Sequence, residues 1–503
     1  MMNKAQGFGL SLITKIAGSE VLDQLKLRKF VEKSLYQGSK TGFKVLNKTQ
    51  KAFKPQAIDK QRLPNQVNKN LFDLSLTEEQ QMTVDAMSQF AEEVLYALAH
   101  DADHQAQFPE QLWQHLVDQA HETAINVLRP ISHKYDKAEH AYPKELDMLA
   151  ALLDGMNESG EGVGAANASK RGTANPDAIV NGGNMSAALG IIEMCYGDTG
   201  LLLSMPRQGL GNSAIAAVAN DEQLERFKGT WAAMAITEPG CGSDSAAIRT
   251  TATKDGDDYI LNGEKIFVTS GERADSVVVW ASLDKKLGRA AIKSFVVPKG
   301  TAGMKVERLE HKLGIKASDT AVISFTDCRV PAANLLGNPE IDVAKGFAGV
   351  METFDNTRPL VAAMAVGCAK ASLERIKEIF KDQLDPDYKT PYLQTSNLAA
   401  QIYRMEAEWE AARLLVLKAT WMADNKKPNS KEASIAKAKA GRVGNEITLK
   451  CVELAASVGY GEDELLEKWA RDSKILDIFE GTQQIQQLII ARRELGKSSS
   501  ELK

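Results

Sequence analysis

The chain has 503 residues, of which 44% are hydrophobic and 25% charged, enough for about three domains with ordinary globular cores. Its 61 Lys+Arg against 66 Asp+Glu leave a net charge of -5, which argues against a dedicated nucleic-acid binder. No uncharged apolar run approaches the roughly 18 residues of a membrane-spanning helix. The five scattered cysteines, Cys195, Cys241, Cys328, Cys368 and Cys451, exclude a disulfide framework and point to a reducing compartment.

Residues 1–62 carry 13 Lys/Arg against Glu20, Asp23, Glu32 and Asp59, so this arm is +9 and the remainder -14. Phe8, Leu12 and Ile16 recur at intervals of four and Leu22 and Leu25 at three, the spacing of an amphipathic helix. A secretory signal is not expected here, a transit peptide has only weak support because the opening stretch contains no arginine, and the expected location is cytoplasmic. Each Lys or Arg near an anionic bilayer contributes about 1 kcal/mol, so the arm is a candidate for peripheral membrane contact; a packed or free extension accounts for it equally well. Membrane contact predicts that the full chain co-sediments with anionic liposomes at low salt more than a chain lacking residues 1–62; equal binding would remove that reading.

Residues 1–75 are read as this basic extension and residues 76–229 as a helical domain. Ser75 followed by Glu78 forms a capping-box pattern, and helix is predicted over 76–153. The Gly155–Asn184 segment, rich in Gly, Asn, Ala and Ser, reads as a long irregular loop. Helix is predicted again over Ser186–Leu203 and Gly211–Phe227. His100 and His104 lie four apart without a third ligand at zinc-site spacing, and are read as solvated helix residues.

The period changes in a mostly β domain over residues 230–341. Asn262-Gly263 sits between β-prone runs and predicts a tight hairpin. Further strands are predicted at Ser276–Ser282, Ala291–Val297, Met304–Leu309 and Thr320–Phe325. From residue 342 to 503 the helical period returns, with helices ending near Lys381 and spanning 396–424, 430–457, 463–477 and 483–494. A loop holds Pro386 and Pro391.

Three segments can carry chemistry. Thr237-Glu-Pro-Gly-Cys-Gly-Ser-Asp244 is a tight turn whose backbone N–H groups can face a ligand, with hydroxyls at Thr237 and Ser243; a plain turn is the alternative. In Ile475-Leu-Asp-Ile-Phe-Glu-Gly-Thr-Gln-Gln484, Glu480 follows two apolar residues at a helix junction. Burial there would raise its pKa and make it a general base; a solvent-facing connector fits the same spacing. Thr482 can cap the next helix. In Phe354-Asp-Asn-Thr-Arg-Pro359, Asp355 and Arg358 can pair across one helical turn, which a local salt bridge explains.

Taken in order, these segments, with Leu261-Asn-Gly-Glu-Lys-Ile-Phe-Val-Thr269, Leu313-Gly-Ile-Lys-Ala-Ser-Asp-Thr320 and Arg471-Asp-Ser-Lys-Ile-Leu-Asp-Ile-Phe-Glu-Gly-Thr482, resemble the acyl-CoA dehydrogenase family, and in particular its larger bacterial fatty-acid β-oxidation members. The resemblance implies an α+β fold with an N-terminal helical domain, a middle β-barrel and a C-terminal four-helix bundle. It implies FAD as cofactor, fatty acyl-CoA as substrate, electron-transferring flavoprotein as electron acceptor, and a homodimer or homotetramer.

By the same resemblance Glu480 is the catalytic base. Ile236, Thr237, Gly242, Ser243, Phe267, Val268, Thr269, Thr482 and Gln484 match FAD contacts, and Ser243, Asp355, Arg358 and Gly481 match substrate contacts. An acyl-CoA oxidase passing electrons to oxygen, or a non-catalytic flavoprotein, shares these motifs. The chain departs from the family pattern in three places. The Arg-x-x-Phe-Gly motif is absent between Lys381 and Tyr392. The Gly-Gly-x-Gly segment reads Ala456-Ser-Val-Gly459, and Glu453 stands where Gln often precedes it. The 155–184 segment is longer than the usual loop.

Overall fold

The computed structural model describes residues 114–151, 183–207, 209–341, 348–384, 396–497 and 501. The basic arm, the Ser75 cap, His100 and His104, most of the glycine-rich segment, and the loop with Pro386 and Pro391 lie outside them. Residues 44–115 belong to a separate unit, in which only Gln114 and His115 are described. Apart from those two residues, the elements below belong to the other unit.

The first described helix, α1 (Gln114–Thr123), passes through a π turn at Ala124–Leu128 into α2 (Arg129–Lys137). The helix expected through 153 is interrupted after Lys137, where His140 takes φ 67° and Pro143 follows, and resumes over 145–151. Then come α3 (Gly183–Gly197), α4 (Thr199–Leu203), α5 (Leu210–Val218) and α6 (Asp221–Arg226). Asp198 splits the helix expected over Ser186–Leu203 in two, because its extended backbone and side chain cap α4 by accepting from the Leu201 N–H. Asn220 makes a capping box with Gln223 and divides the next segment in the same way.

The middle domain is a seven-stranded mixed sheet: β1 (Ala232–Ala235), β2 (Thr251–Asp255), β3 (Asp258–Thr269), β4 (Ser276–Ser282), β5 (Ile292–Pro298), β6 (Met304–Leu309) and β7 (Thr320–Pro331). The order is β1-β4-β2-β3-β7-β6, with β5 also on β4, and the sheet curls into a half-barrel. All seven residues of β4 are buried, as expected for a strand covered on both faces.

Asn262-Gly263 does not make the predicted hairpin. β3 runs straight through it, with a register shift against β7 between Leu261 and Gly263. The chain turns instead at Gly256-Asp257, where Asp255 pairs with Asp258 and Gly256 has φ 59°. Asn262 serves the bulge: its side chain accepts from the Asp327 N–H at 2.8 Å. Gly263 is required by a close approach, since a Cβ there would lie 2.4 Å from Thr250 Oγ1.

The C-terminal bundle consists of α7 (Ala348–Ile379), α8 (Asn397–Asp424), α9 (Ser430–Tyr460), α10 (Leu466–Ser473) and α11 (Gln483–Glu494). Its core joins Ala362–Ala369 of α7 to Val416 of α8, Val443 and Ile447 of α9 and Trp469 of α10. Near the end of α9, Ala456 adopts φ 49°, ψ -123°, a conformation suited to glycine; it opens the segment where the family pattern has Gly-Gly-x-Gly.

A buried ionic cluster ties the parts of this unit together. Lys468 of α10 donates to Asp198 at 2.8 Å and Asp472 at 2.5 Å, and all three side chains are buried. Ser132 of α2 and the Leu201 N–H donate to Asp198, and the Ile315 N–H between β6 and β7 donates to Asp472.

Candidate active site

β1 leads directly into the Thr237–Asp244 turn. The turn closes on itself by reciprocal backbone bonds between Glu238 and Cys241, at 3.0 and 3.1 Å. The Thr237 carbonyl accepts from the Ile266 N–H at 2.9 Å, which fastens the turn to β3.

Inside the turn the Glu238 carboxylate accepts from the Arg249 N–H at 2.6 Å, the Thr250 N–H at 2.9 Å and the Thr250 hydroxyl at 2.6 Å. A fully buried Lys265 ammonium donates to it at 2.8 Å. Burial pushes the Glu238 carboxyl upward, but the Lys265 charge and these donors outweigh it and hold it below the usual carboxylate value. Burial also pulls Lys265 down to about 8 against the pull of Glu238, so the pair is ionised at neutral pH. Glu238 and Lys265 lie within the recognised motifs, yet nothing in their spacing marks them as the brace that holds the turn.

The predicted flavin-side residues divide by exposure. Gly242 and Ser243 face outward, with open space above the turn, since a Cβ at Gly240 would meet nothing within 4 Å. Phe267 sits at a bulge in β3, has φ 58° and is 60% exposed. Val268 turns its side chain into the sheet core, which leaves its backbone for contact with a ligand. Ile236 and Thr269 are half-buried.

The second part of the site belongs to the bundle. The tight turn Lys474–Asp477 ends α10, and Glu480 follows with φ 55°, then Gly481 with φ 89°. Two consecutive left-handed residues reverse the chain before Thr482 caps α11 by accepting from the Ile485 N–H. Gln484 is exposed on the first turn of α11. Glu480 is half-buried, and its carboxylate accepts from the Thr357 hydroxyl of α7 at 2.9 Å. Burial raises its pKa above the ordinary glutamate value, and Thr357, Arg358 and Lys437 oppose that rise without cancelling it.

On α7, Arg358 donates to Asp355 at 2.6 Å, the salt bridge the three-residue spacing allows. Arg358 is only 3% exposed, and its Nε has no acceptor. Phe354, one residue before Asp355, packs against the same apolar cluster as Ile236 and Cys241. Phe354 thus shares an apolar cluster with Ile236 and Cys241, and Thr357, one helical turn further on, carries the hydroxyl that meets Glu480. Thr357 lies inside a motif whose pattern gives it no role, and Lys437 and Gln486, which bond the Glu480–Gly481 backbone, lie in no motif that marks them. Their partners lie on other elements or are backbone carbonyls, which leave no sequence signature.

Two other polar groupings lie outside this site. Glu139, His140 and His311 bring potential ligand atoms within 4.8 Å of one another. His311 is already paired with Glu139 at 2.9 Å, and Lys312 and Arg273 set positive charge against His140, which disfavours a cation. A charged cleft of about 520 Å³ lined by residues such as Asp136, Lys312, Lys316 and Arg471 includes neither Glu480 nor the Thr237–Asp244 turn.

N-terminal helices, a curled mixed sheet and a C-terminal helix bundle, with the Glu480 carboxylate at a helix junction of the bundle, make a three-domain architecture. Comparison with known proteins agrees: residues 233–328 match the acyl-CoA dehydrogenase middle domain and residues 344–495 the acyl-CoA dehydrogenase C-terminal domain. The chain is 33% identical over 385 residues to the short-chain specific acyl-CoA dehydrogenase of Clostridium acetobutylicum, covering 75% of this chain and 97% of that one. It is 38% identical over 257 residues to the mitochondrial short-chain specific enzyme of Rattus norvegicus, a match that spans 51% of this chain and 61% of the rat protein's length. The structure of butyryl-CoA dehydrogenase from Megasphaera elsdenii superimposes with a TM-score of 0.67 at 30% identity, covering 76% of this chain and 98% of that one. The chain belongs to the acyl-CoA dehydrogenase family.

Proposed function

We propose that this protein is an FAD-dependent acyl-CoA dehydrogenase of the fatty-acid β-oxidation type, which converts a fatty acyl-CoA to its trans-2-enoyl-CoA. The observation that carries this reading is Glu480: a carboxylate with a raised pKa, held by Thr357 at a reversed helix junction. An α-proton next to a thioester is a weak acid, so the base must be a carboxylate relieved of part of its solvation.

The residues present fit a flavin. The exposed Phe267 ring offers an apolar face, the open turn at Gly240–Ser243 offers backbone N–H groups, and Thr237, Thr269 and Gln484 offer polar contacts. Ile236, Val268 and Thr482 complete this set as neighbours of those contacts. FAD bound there would supply the acceptor for the β-hydride. Glu480 removes the α-proton through its carboxylate. Its backbone N–H, which has no acceptor among the described residues, can donate to the thioester carbonyl as negative charge develops there. Ser243, Gly481, Asp355 and Arg358 are assigned to the substrate side, the last two near the CoA moiety.

Electron-transferring flavoprotein is the proposed acceptor and a homodimer or homotetramer the proposed assembly. Among the described residues no helix is long and apolar enough to cross a membrane. The expected result is a yellow purified protein whose oxidised-flavin band bleaches on anaerobic titration with butyryl-CoA or palmitoyl-CoA. The chain that bleaches it faster indicates the length of the acyl site. A flavin that neither thioester reduces would overturn the reading, and reoxidation faster by oxygen than by electron-transferring flavoprotein would turn it to an oxidase.

A further inference from the structure

The Glu480–Gly481 junction is an unfavourable place for a backbone, since Glu480 is a side-chain-bearing residue at φ 55°. Something must hold it. Gln486 of α11 is completely buried, and its Nε2 reaches both the Glu480 carbonyl and the Gly481 carbonyl, each at 3.1 Å. Lys437 of α9 is also completely buried, and its Nζ donates to the Gly481 carbonyl at 2.7 Å. Donors from two helices thus converge on the two carbonyls that flank the Gly481 Cα, next to Glu480. Gly481 has no room for a side chain, because a Cβ would lie 2.4 Å from Gln486 Nε2.

We infer that Lys437 and Gln486 are positioning residues for the catalytic base: together they fix the Glu480–Gly481 backbone so that the carboxylate and the Glu480 N–H address the substrate at the same time. The inference rests on the reading of Glu480 as base. A carbonyl accepting a hydrogen bond fixes the plane of its peptide, and the peptide planes on either side of Gly481 set the orientation of the residue that carries the base. An ammonium is used where a neutral donor would bond equally well, and this adds a second effect. Its positive charge stabilises the ionised carboxylate and restrains the rise that burial imposes.

The charged groups that face this junction are few. From α7 comes Arg358, itself paired with Asp355; from α9 comes Lys437; Asp477 of the preceding turn faces Lys437. The side chain of Gln486 is neutral, and its Oε1 has no partner, so its amide is held by the two carbonyls alone.

Two near-isosteric variants of the full chain test this. In Gln486→Glu the donor becomes a carboxylate facing two carbonyls. In Lys437→Met the stem is kept and the charge and donor are lost. Both are expected to lower the rate constant for flavin bleaching by acyl-CoA about 10–100-fold, the range of a misplaced catalytic group, with a smaller change in the KM for acyl-CoA. Both are also expected to move the acid limb of the pH–rate profile to higher pH, since each raises the pKa of Glu480. Lys437→Arg, which restores charge and donor, should recover the limb.

A merely structural role would lower flavin content or melting temperature and leave the limb where it is in wild type. That result, or wild-type bleaching rates in both variants, overturns the inference. Glu480→Gln is the control: if it bleaches like wild type, the base assignment itself has failed, which is a different outcome from a silent Lys437 and Gln486.

Discussion

Glu480→Gln is expected to lose flavin reduction by acyl-CoA by at least about 10²–10⁴-fold, the contribution of a well-placed general base, while keeping bound flavin and the fold. Gln keeps the shape and can still accept from the Thr357 hydroxyl that reaches Glu480 at 2.9 Å, so the junction is preserved.

The pH consequences have a definite sign. Burial raises the Glu480 pKa in the folded protein above its unfolded value. The base works only when ionised, so the wild-type acid limb should lie above the ordinary glutamate value of about 4.3. For stability, a raised carboxyl favours the folded state at low pH; that benefit is lost as pH rises from the unfolded to the folded pKa. Above that window the ionised Glu480 costs stability, which a neutral Gln does not. Glu480→Gln should therefore melt no lower than wild type at neutral pH, and a scanning calorimeter at pH 5 and pH 8 checks this. An inactive variant that is also markedly less stable would mean that Glu480 serves the fold instead.

Lys468→Met is expected to destabilise the protein by about 3–5 kcal/mol, the cost of leaving buried charges without their partner. Lys468 stands between the Asp198 and Asp472 carboxylates, and none of the three side chains is more than 1% exposed. Burial raises the Asp472 pKa, with the Asp198 charge adding to it, and Lys468 opposes both. Without Lys468 the upward pull is less opposed, so the folded variant takes up protons more readily. Its stability deficit should then narrow as pH falls. Urea unfolding of both proteins across the acid range measures this. A loss below about 1 kcal/mol, typical of exposed pairs, would show that the cluster is solvated.

The sequence carried the order of the architecture better than its turns. The change from a 3.6-residue to a two-residue period near residue 230, and back near 342, marked the three layers because each period must present an apolar face to a core. Asn262-Gly263 misled because the same dipeptide that suits a tight turn also suits a bulge; the actual turn, Gly256-Asp257, lies only a few residues earlier and has similar chemistry.

The candidate site was legible where its residues are consecutive. Thr237–Asp244 and Glu480–Thr482 are read from local composition, and Asp355 and Arg358 from their spacing. Thr357, Lys437 and Gln486 were not read in this way. Thr357 lies 123 residues from the carboxylate it bonds, and Lys437 and Gln486 bond backbone carbonyls, which every residue possesses. Nothing in a lysine's neighbours announces that it will be buried.

The brace inside the glycine-rich turn has one more consequence. Glu238 and Glu480 are both glutamates at tight turns, but their surroundings give them opposite chemical characters. Glu238 is occupied by four nitrogen and oxygen donors, with Lys265 among them, and stays below the usual carboxylate value. Glu480 has one hydroxyl donor and lies above it. Glu238 is thus spectator charge with no affinity left for a proton near neutrality, and it cannot stand in for Glu480 when that residue is replaced. Under the proposed reaction the turn can be rigid and anionic at its heart without competing for the substrate's hydrogen, and the contrast between the two acids is written in how many donors each one meets.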